Sequence, residues 1–319
     1  MPLIDVLINA YGKPFQTALS LLSLMKHSGH LIDRIWFVNE RSEETKQYGR
    51  QFILELMDNI TVHEPKDWRW INHIDEARLT EEDYRHSIRY QYGWEKSDKK
   101  YVLIIHNDVY FKGDAAGLLL NVIGDNIAAG EVGLCCQCPA YHHGKCSPEK
   151  YQDFRPTLKE FIMMAGAPKG YIPTDVSSYM VCPSLRTRPW PLPSCRVNEW
   201  CALVNLEKAR PLTAPLGPAR PFGAHVFEGI IREPEEGEKW QEFKTHLGIV
   251  YDTGMAWFRD VHHVGQTCAH RNLSEVMDHW TGHKALFNPE LYAANEKRAM
   301  EILEREFGLN FSFKKQPDT

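Results

Sequence analysis

The stretch that most constrains the fold runs from Lys100 to Phe111. Tyr101-Val102-Leu103-Ile104-Ile105 is an unbroken apolar or aromatic run bounded by Lys99, Lys100 and His106. A run so short and so β-branched predicts a strand buried on both faces at the centre of an α/β sheet. It ends abruptly in His106-Asn107-Asp108. Open α/β sheets bind ligands at the carboxyl ends of their strands. Asp108 is therefore placed to hold a divalent cation that keeps several waters and shares phosphate oxygens with a substrate. An Asn-Asp pair is also what an ordinary turn uses after a strand, so the rest of the chain has to decide.

The flanking segments alternate in the same way. Leu3 to Ala10 is a second apolar run, broken by Tyr11-Gly12-Lys13-Pro14. Phe15, Ala18, Leu19, Leu22 and Met25 then form a helical stripe, with Gly29 at the expected C-terminal cap. Asp33 to Asn39 predicts a strand, residues 43–57 a helix, and Asn59 to Val62 a short strand. Glu81 to Glu95 predicts one polar-faced helix leading into the central strand. Strand and helix in alternation imply parallel strands joined by right-handed crossovers. Further on, Asp114 to Ile127 predicts a helix and Gly130 to Cys136 a strand. From Pro139 to Pro193 prolines, cysteines and histidines cluster without periodicity, which predicts an irregular insertion. Val197 to Ala209 returns to order, Gly254 to Gly265 and Asn295 to Phe307 predict helices, and Lys314 to Thr319 a frayed tail. The chain thus divides at 1–138, 139–196 and 197–319.

At 319 residues, 43% hydrophobic and 25% charged, the chain is long and apolar enough for a full globular core. A net charge of −5 gives no nucleic-acid footprint. Met1-Pro2-Leu3-Ile4-Asp5 lacks a basic n-region, and no window reaches about 18 uninterrupted apolar residues. The expectation is a cytoplasmic protein, peripheral at most to the inner face of a membrane, with no transmembrane segment. Its eight cysteines then point to metal or thiols rather than disulfides.

Four pieces in order resemble the nucleotide-sugar glycosyltransferases of the GT-A fold, family 2 type. They are Asn9-Ala10-Tyr11 before a helix with a Leu-Ser-Leu-Leu-Ser-Leu core, and Val38-Asn39-Glu40-Arg41-Ser42. Next come Arg89 to Glu95 followed by the central strand and His106-Asn107-Asp108, and last Cys201 to Asn205 followed by Asp252 to Phe258, Gly265 and His279-Trp280-Thr281-Gly282. The resemblance covers Leu3 to Gly282. It implies a GT-A fold, a Rossmann-like, mostly parallel central sheet flanked by helices, here with a Cys-rich insertion. It also implies a nucleotide-diphosphate sugar donor, a glycan or lipid-linked acceptor, and Mn²⁺ or Mg²⁺. His106 stands where the family has the first Asp of Asp-x-Asp, which leaves Asp108 as the carboxylate ligand.

Departure of a diphosphate needs positive charge, which a divalent ion supplies as a Lewis acid. Asp108 and His279 are the expected clamp, with His262 and His263 as alternatives among fifteen histidines. The attacking hydroxyl must lose a proton, and Asp252 is the candidate general base, Glu199 the alternative. Asp252-Thr253-Gly254 could equally cap the helix that follows. A base opposite the leaving group implies inversion at the anomeric carbon. Ala10, Tyr11, Asn39, Glu40, Arg89, Asn107 and Asp108 are expected around the donor, with Tyr11 stacking on the base and Arg89 reaching a phosphate or the base. Against this, Arg89 could be no more than a charge on a helix face.

Cys135-Cys136-Gln137-Cys138 contains a Cys-x-x-Cys, and Cys146 follows eight residues later. Cys135, Cys138, Cys146 and Cys195 are the expected ligands of a structural Zn²⁺ stapling the insertion. Scattered buried thiols are the plainer alternative. A competing function is a non-catalytic, zinc-stapled binding module on a GT-A-like fold.

Overall fold

The computed structural model describes residues 2–40, 50–67, 69, 72–135, 138–164, 182–230, 247–280 and 288–311. The strands in chain order are β1 (Ile4–Ala10), β2 (Ile32–Asn39), β3 (Ile60–His63), β4 (Tyr101–Ile105), β5 (Val109–Phe111), β6 (Ala128–Val132), β7 (Val197–Asn205), β8 (Val226–Ile230), β9 (Leu247–Tyr251), β10 (Cys268–His270) and β11 (Met277–His279). Seven of them form one sheet in the order β10-β6-β7-β4-β1-β2-β3. β4 pairs in parallel with β1, β1 with β2, and β2 with β3. β7 runs antiparallel to β4 and β6, and it comes from beyond the insertion. The sheet is thus Rossmann-like and mostly parallel, with helices packed on both faces.

The apolar runs bury both faces because alternate residues serve different layers. Leu7, Trp36, Val102 and Ile104 face the layer holding Trp94 and Trp257. Ile8, Phe37, Leu103 and Ile105 face the layer of the Pro14–Ser28 and Pro289–Phe307 helices. These two helices are braced by Glu296, whose carboxylate accepts from the Phe15 and Gln16 backbone N–H groups at 3.0 and 3.1 Å. A carboxylate at a helix N-terminus meets unpaired donors and the positive end of the dipole.

Several boundaries differ from expectation. The helix expected over Glu81 to Glu95 is two, Glu82–His86 and Gln91–Lys96. The break falls at Tyr90, a non-glycine residue at φ 64° whose N–H donates to Asn9 Oδ1 at 3.0 Å. Tertiary bonding there outweighs helix propensity. Gly29 caps the first helix in the right-handed region and leads into a 3₁₀ turn, Gly29–Leu31. The strand expected over Gly130 to Cys136 starts two residues earlier and stops before Gly133, at φ 87°. The C-terminal helix begins at Pro289, capped by Asn288. Of the helix expected over 43–57, residues 43–49 lie outside the described residues and Arg50–Glu55 is helical; all of the tail from Lys314 lies outside them too.

Gly93 sits where the Gln91–Lys96 helix presses on the sheet. A Cβ there would stand 2.4 Å from Leu7 Cδ2 and 2.7 Å from Trp36 Cβ. Gly93→Ala should therefore cost about 1–3 kcal/mol, the usual scale of overpacking, read from the urea midpoint. An unchanged midpoint would mean that this helix is not seated on β1 and β2 as described.

Candidate active site

His106-Asn107-Asp108 joins β4 to β5, and the turn is held from beneath. Ser20 Oγ donates to Val109 O at 2.5 Å and accepts from Val109 N at 3.1 Å. Asn107 Nδ2 donates to Thr17 Oγ1 at 3.1 Å, so this side chain is turned toward the first helix. The turn is thus fixed by the helix that follows β1, and Asp108 is aimed by it. β11 pairs antiparallel with β5, with His279 opposite Val109. That pairing brings a histidine from 171 positions away beside Asp108 (279 − 108).

His279 Nε2 lies 3.3 Å from Asp108 Oδ1, and His106 Nδ1 lies 3.7 Å from the same oxygen. Ligand atoms of His106, Asp108 and His279 all fall within 4.8 Å of one another, and no other such trio occurs among the described residues. Trp200 stacks on the His279 ring at 4.9 Å between centroids and fixes its plane.

The other Asp108 oxygen accepts from Lys13 Nζ at 2.6 Å. Lys13 precedes the first helix at φ 52°, buried, in the left-handed region where non-glycine residues are uncommon. Burial alone would raise the Asp108 pKa, but Lys13 and the two imidazoles outweigh it and hold the carboxyl well below its usual range. Burial pulls His106 down to about 3, so its ring is neutral at physiological pH. A neutral imidazole is the form that ligates metal. Asp108 Oδ1 and His106 Nε2 are buried without a hydrogen bond. A buried anionic oxygen left without a donor is costly unless something charged completes it. A carboxylate and two imidazoles suit Mn²⁺, and Mg²⁺ less well because it prefers oxygen. The residues present fit a divalent ion.

A second charged group adjoins the first. His106 Nε2 is 3.5 Å from Glu199 Oε1, and Glu199 on β7 is ion-paired with Arg196. Arg196 Nη2 is 3.7 Å from Asp252 Oδ2, and His225 Nε2 is 3.2 Å from Asp252 Oδ1. Asp252 follows β9, and its side chain is 48% exposed. It does not cap the Met255–His263 helix; that position falls on Gly254, at φ 79°. Its carboxylate accepts from Thr253 N at 2.7 Å and otherwise faces Arg196 and His225. Burial raises the Asp252 pKa, but Arg196, His225 and that hydrogen bond lower it below the usual carboxylate value. Burial brings His225 down to about 4.

Around the ends of β1 and β2, Ala10 pairs with Asn39 in register, and Glu40 N donates to Ala10 O at 2.9 Å. Tyr11 and Asn39 are half-buried. Arg89 grips Glu40 with two hydrogen bonds of 2.8 and 2.9 Å, and Glu40 Oε1 also accepts from Asn9 Nδ2 at 3.0 Å. Glu40 and Arg89 are thus committed to each other. A donor at this edge would meet the pair rather than either charge alone. His262 and His263 lie elsewhere, in the Met255–His263 helix, where His262 stacks on Phe258 at 5.7 Å.

The structure therefore gathers Asp108, His279, Glu199 and Asp252 along one edge, and adds Lys13, His106, Arg196 and His225. Lys13 left only the Gly-Lys-Pro break as a sign in the sequence. His106 was visible but read as a lost ligand. Arg196 and His225 left none.

Cys138 and Cys195 are buried, and Cys135 and Cys146 half-buried. All four line one small cavity. Their sulfurs do not approach as closely as the His-Asp-His ligand atoms do.

No protein-family model matches the chain. No curated protein matches it either. Among solved structures it is similar to the mannosyltransferase PcManGT from Pyrobaculum calidifontis, in complex with GDP-Man and Mn²⁺, at 11% identity and a TM-score of 0.36, covering 66% of this chain and 46% of that one. It is also similar to the galactosyltransferase LgtC in complex with donor and acceptor sugar analogs, at 17% identity and TM-score 0.33, covering 65% and 59%. A variant of LgtC carrying one active-site substitution aligns over 98% of both chains, at 13% identity and TM-score 0.45. The chain spans about half the length of the first two. Among the described residues no helix is long and apolar enough to cross a membrane.

Proposed function

We propose that the protein is a GT-A-type glycosyltransferase that moves a hexosyl group from a nucleoside-diphosphate donor to a hydroxyl of a glycan or lipid-linked acceptor. The observation that carries this reading is the convergence of His106, Asp108 and His279 at the end of a central strand, with a buried carboxylate oxygen faced by both imidazoles. These three residues would hold Mn²⁺ or Mg²⁺. Such an ion, when bound, supplies Lewis acidity against the charge that builds on a leaving diphosphate.

The chain's own residues do the rest. Lys13 adds a fixed positive charge beside Asp108. Asp252, ionised at neutral pH and reachable from solvent, takes the proton from the acceptor hydroxyl as its oxygen attacks the anomeric carbon. Arg196 and Glu199 link Asp252 to His106, which puts the base and the cation-binding group in one charged network. On this reading the base acts opposite the leaving group, by direct displacement with inversion. Ala10, Tyr11, Asn39 and the Glu40–Arg89 pair border the nucleotide. We place the protein in the cytoplasm, acting in surface-polysaccharide assembly at the inner face of the membrane.

The test is calorimetric titration of nucleoside-diphosphate sugars of each common base, with and without Mn²⁺. Heat is expected for one base and only with the ion present. No heat and no melting shift with any donor would end the proposal.

A further inference from the structure

We propose that Cys135, Cys138, Cys146 and Cys195 form a structural zinc site at the root of the insertion. The four residues come from positions spread over sixty residues (195 − 135), yet all line a single cavity of about 10 Å³. That is room for about one water-sized sphere. It suits a single ion and is too small for a cluster of irons and sulfides. Val132, Leu134, Tyr151 and Trp190 supply an apolar wall around it. Among the described cysteines Cys182, Cys201 and Cys268 do not line this cavity. The convergence is therefore selective and not a general tendency of thiols to be buried.

The backbone supports the same assignment. Cys135 and Cys138 stand on one tight turn, with Cys138 N donating to Cys135 O at 3.0 Å. Cys195 closes a 3₁₀ turn, its N–H donating to Leu192 O at 2.9 Å. Cys138, Cys146 and Cys195 form no disulfide. As each sulfur takes the ion it releases its proton to solvent, and the anionic charge is met by the metal. The exchange conserves oxidation state and needs no other reactant. Tetrahedral closure around Zn²⁺ draws the sulfurs to about 2.3 Å from the ion.

The position explains the use. Val132 of β6 is paired with Val197 of β7, so the insertion leaves and re-enters the sheet at one point. A metal there clamps both ends and fixes Arg196, next in the chain to Cys195. It is distinct from the His106–Asp108–His279 group, and no donor-binding result bears on it.

The experiment is metal analysis of the full-length protein as purified, then cobalt exchange followed by absorbance. About one tightly held zinc per chain is expected, with a thiolate-to-cobalt charge-transfer band. Cys138→Ser and Cys195→Ser should each lower the zinc content roughly tenfold or more. Cys201→Ser, Cys268→Ser and Asp108→Ala should retain it. Folded wild-type protein without zinc and without the cobalt band overturns the assignment, even if the serine variants fail to fold. So does zinc that leaves with Asp108→Ala, or a disulfide among the four cysteines under non-reducing mass spectrometry.

Discussion

Asp108→Ala should remove Mn²⁺-dependent donor binding altogether and lower turnover by about 10³-fold or more, on the scale set by losing a group that stabilises transition-state charge. Asp108 supplies the anionic oxygen of the trio, and the two imidazoles that remain carry no negative charge to offset a divalent ion. The same substitution leaves the Lys13 ammonium buried without its 2.6 Å partner. Breaking a buried pair from one side costs about 3–5 kcal/mol, so a simple loss of activity would be ambiguous. Lys13→Met in the Asp108→Ala background separates the two effects. The double variant should regain most of the stability and none of the metal-dependent binding.

The pH dependence has a definite sign. Asp108 has a folded pKa depressed below its unfolded value of about 3.9. Its contribution to stability is therefore present above that unfolded value and is lost as pH falls further toward the folded one. Wild type should lose stability on acidification below about pH 4 more steeply than Asp108→Ala does. Metal-dependent donor binding by the single variant, with wild-type affinity, would remove Asp108 from the site.

The strands that build this edge were legible because each is a short apolar run, and a two-faced core leaves few other ways to bury one. Asp108 could be named for the same reason, since it ends the most apolar run of all. His279 was reached through the resemblance rather than from spacing. What brings it to Asp108 is a pairing of two three-residue strands, too short for any periodicity. The other misses share a cause. Tyr90 breaks a helical pattern because its N–H is taken by Asn9, eighty-one residues away. Lys13 reaches Asp108 from a backbone at positive φ, which nothing in its side chain favours. Arg196 lies at the exit of an aperiodic insertion, and its two carboxylates come from β7 and from the segment after β9. Apart from the Arg196–Glu199 pair, three residues apart, contacts of long sequence separation chose these residues, and local pattern carries no trace of those contacts.

Asp252→Asn should lower kcat by about 10²–10⁴-fold, the range of a positioned general base, while leaving the donor titration unchanged. Asparagine keeps the shape and the hydrogen bond from Thr253 N, and Arg196 keeps Glu199 as its partner. With the side chain half exposed, the fold has little to lose. Because Asp252 is held below the ordinary carboxylate pKa, wild-type kcat/KM should stay flat through neutral pH and fall only in the acid range, and the variant should lose that acid limb. Glu199→Gln is the contrasting case. Glu199 is buried between His106 and Arg196, so its removal should disturb the metal trio and weaken donor binding. The product settles which carboxylate meets the sugar. Attack by an acceptor activated at Asp252 inverts the anomeric centre, and the proton coupling of the new linkage reports it. Retention, with Asp252→Asn nearly as active as wild type, would transfer the reacting role to the β7 carboxylate and leave Asp252 as a partner of Arg196 alone.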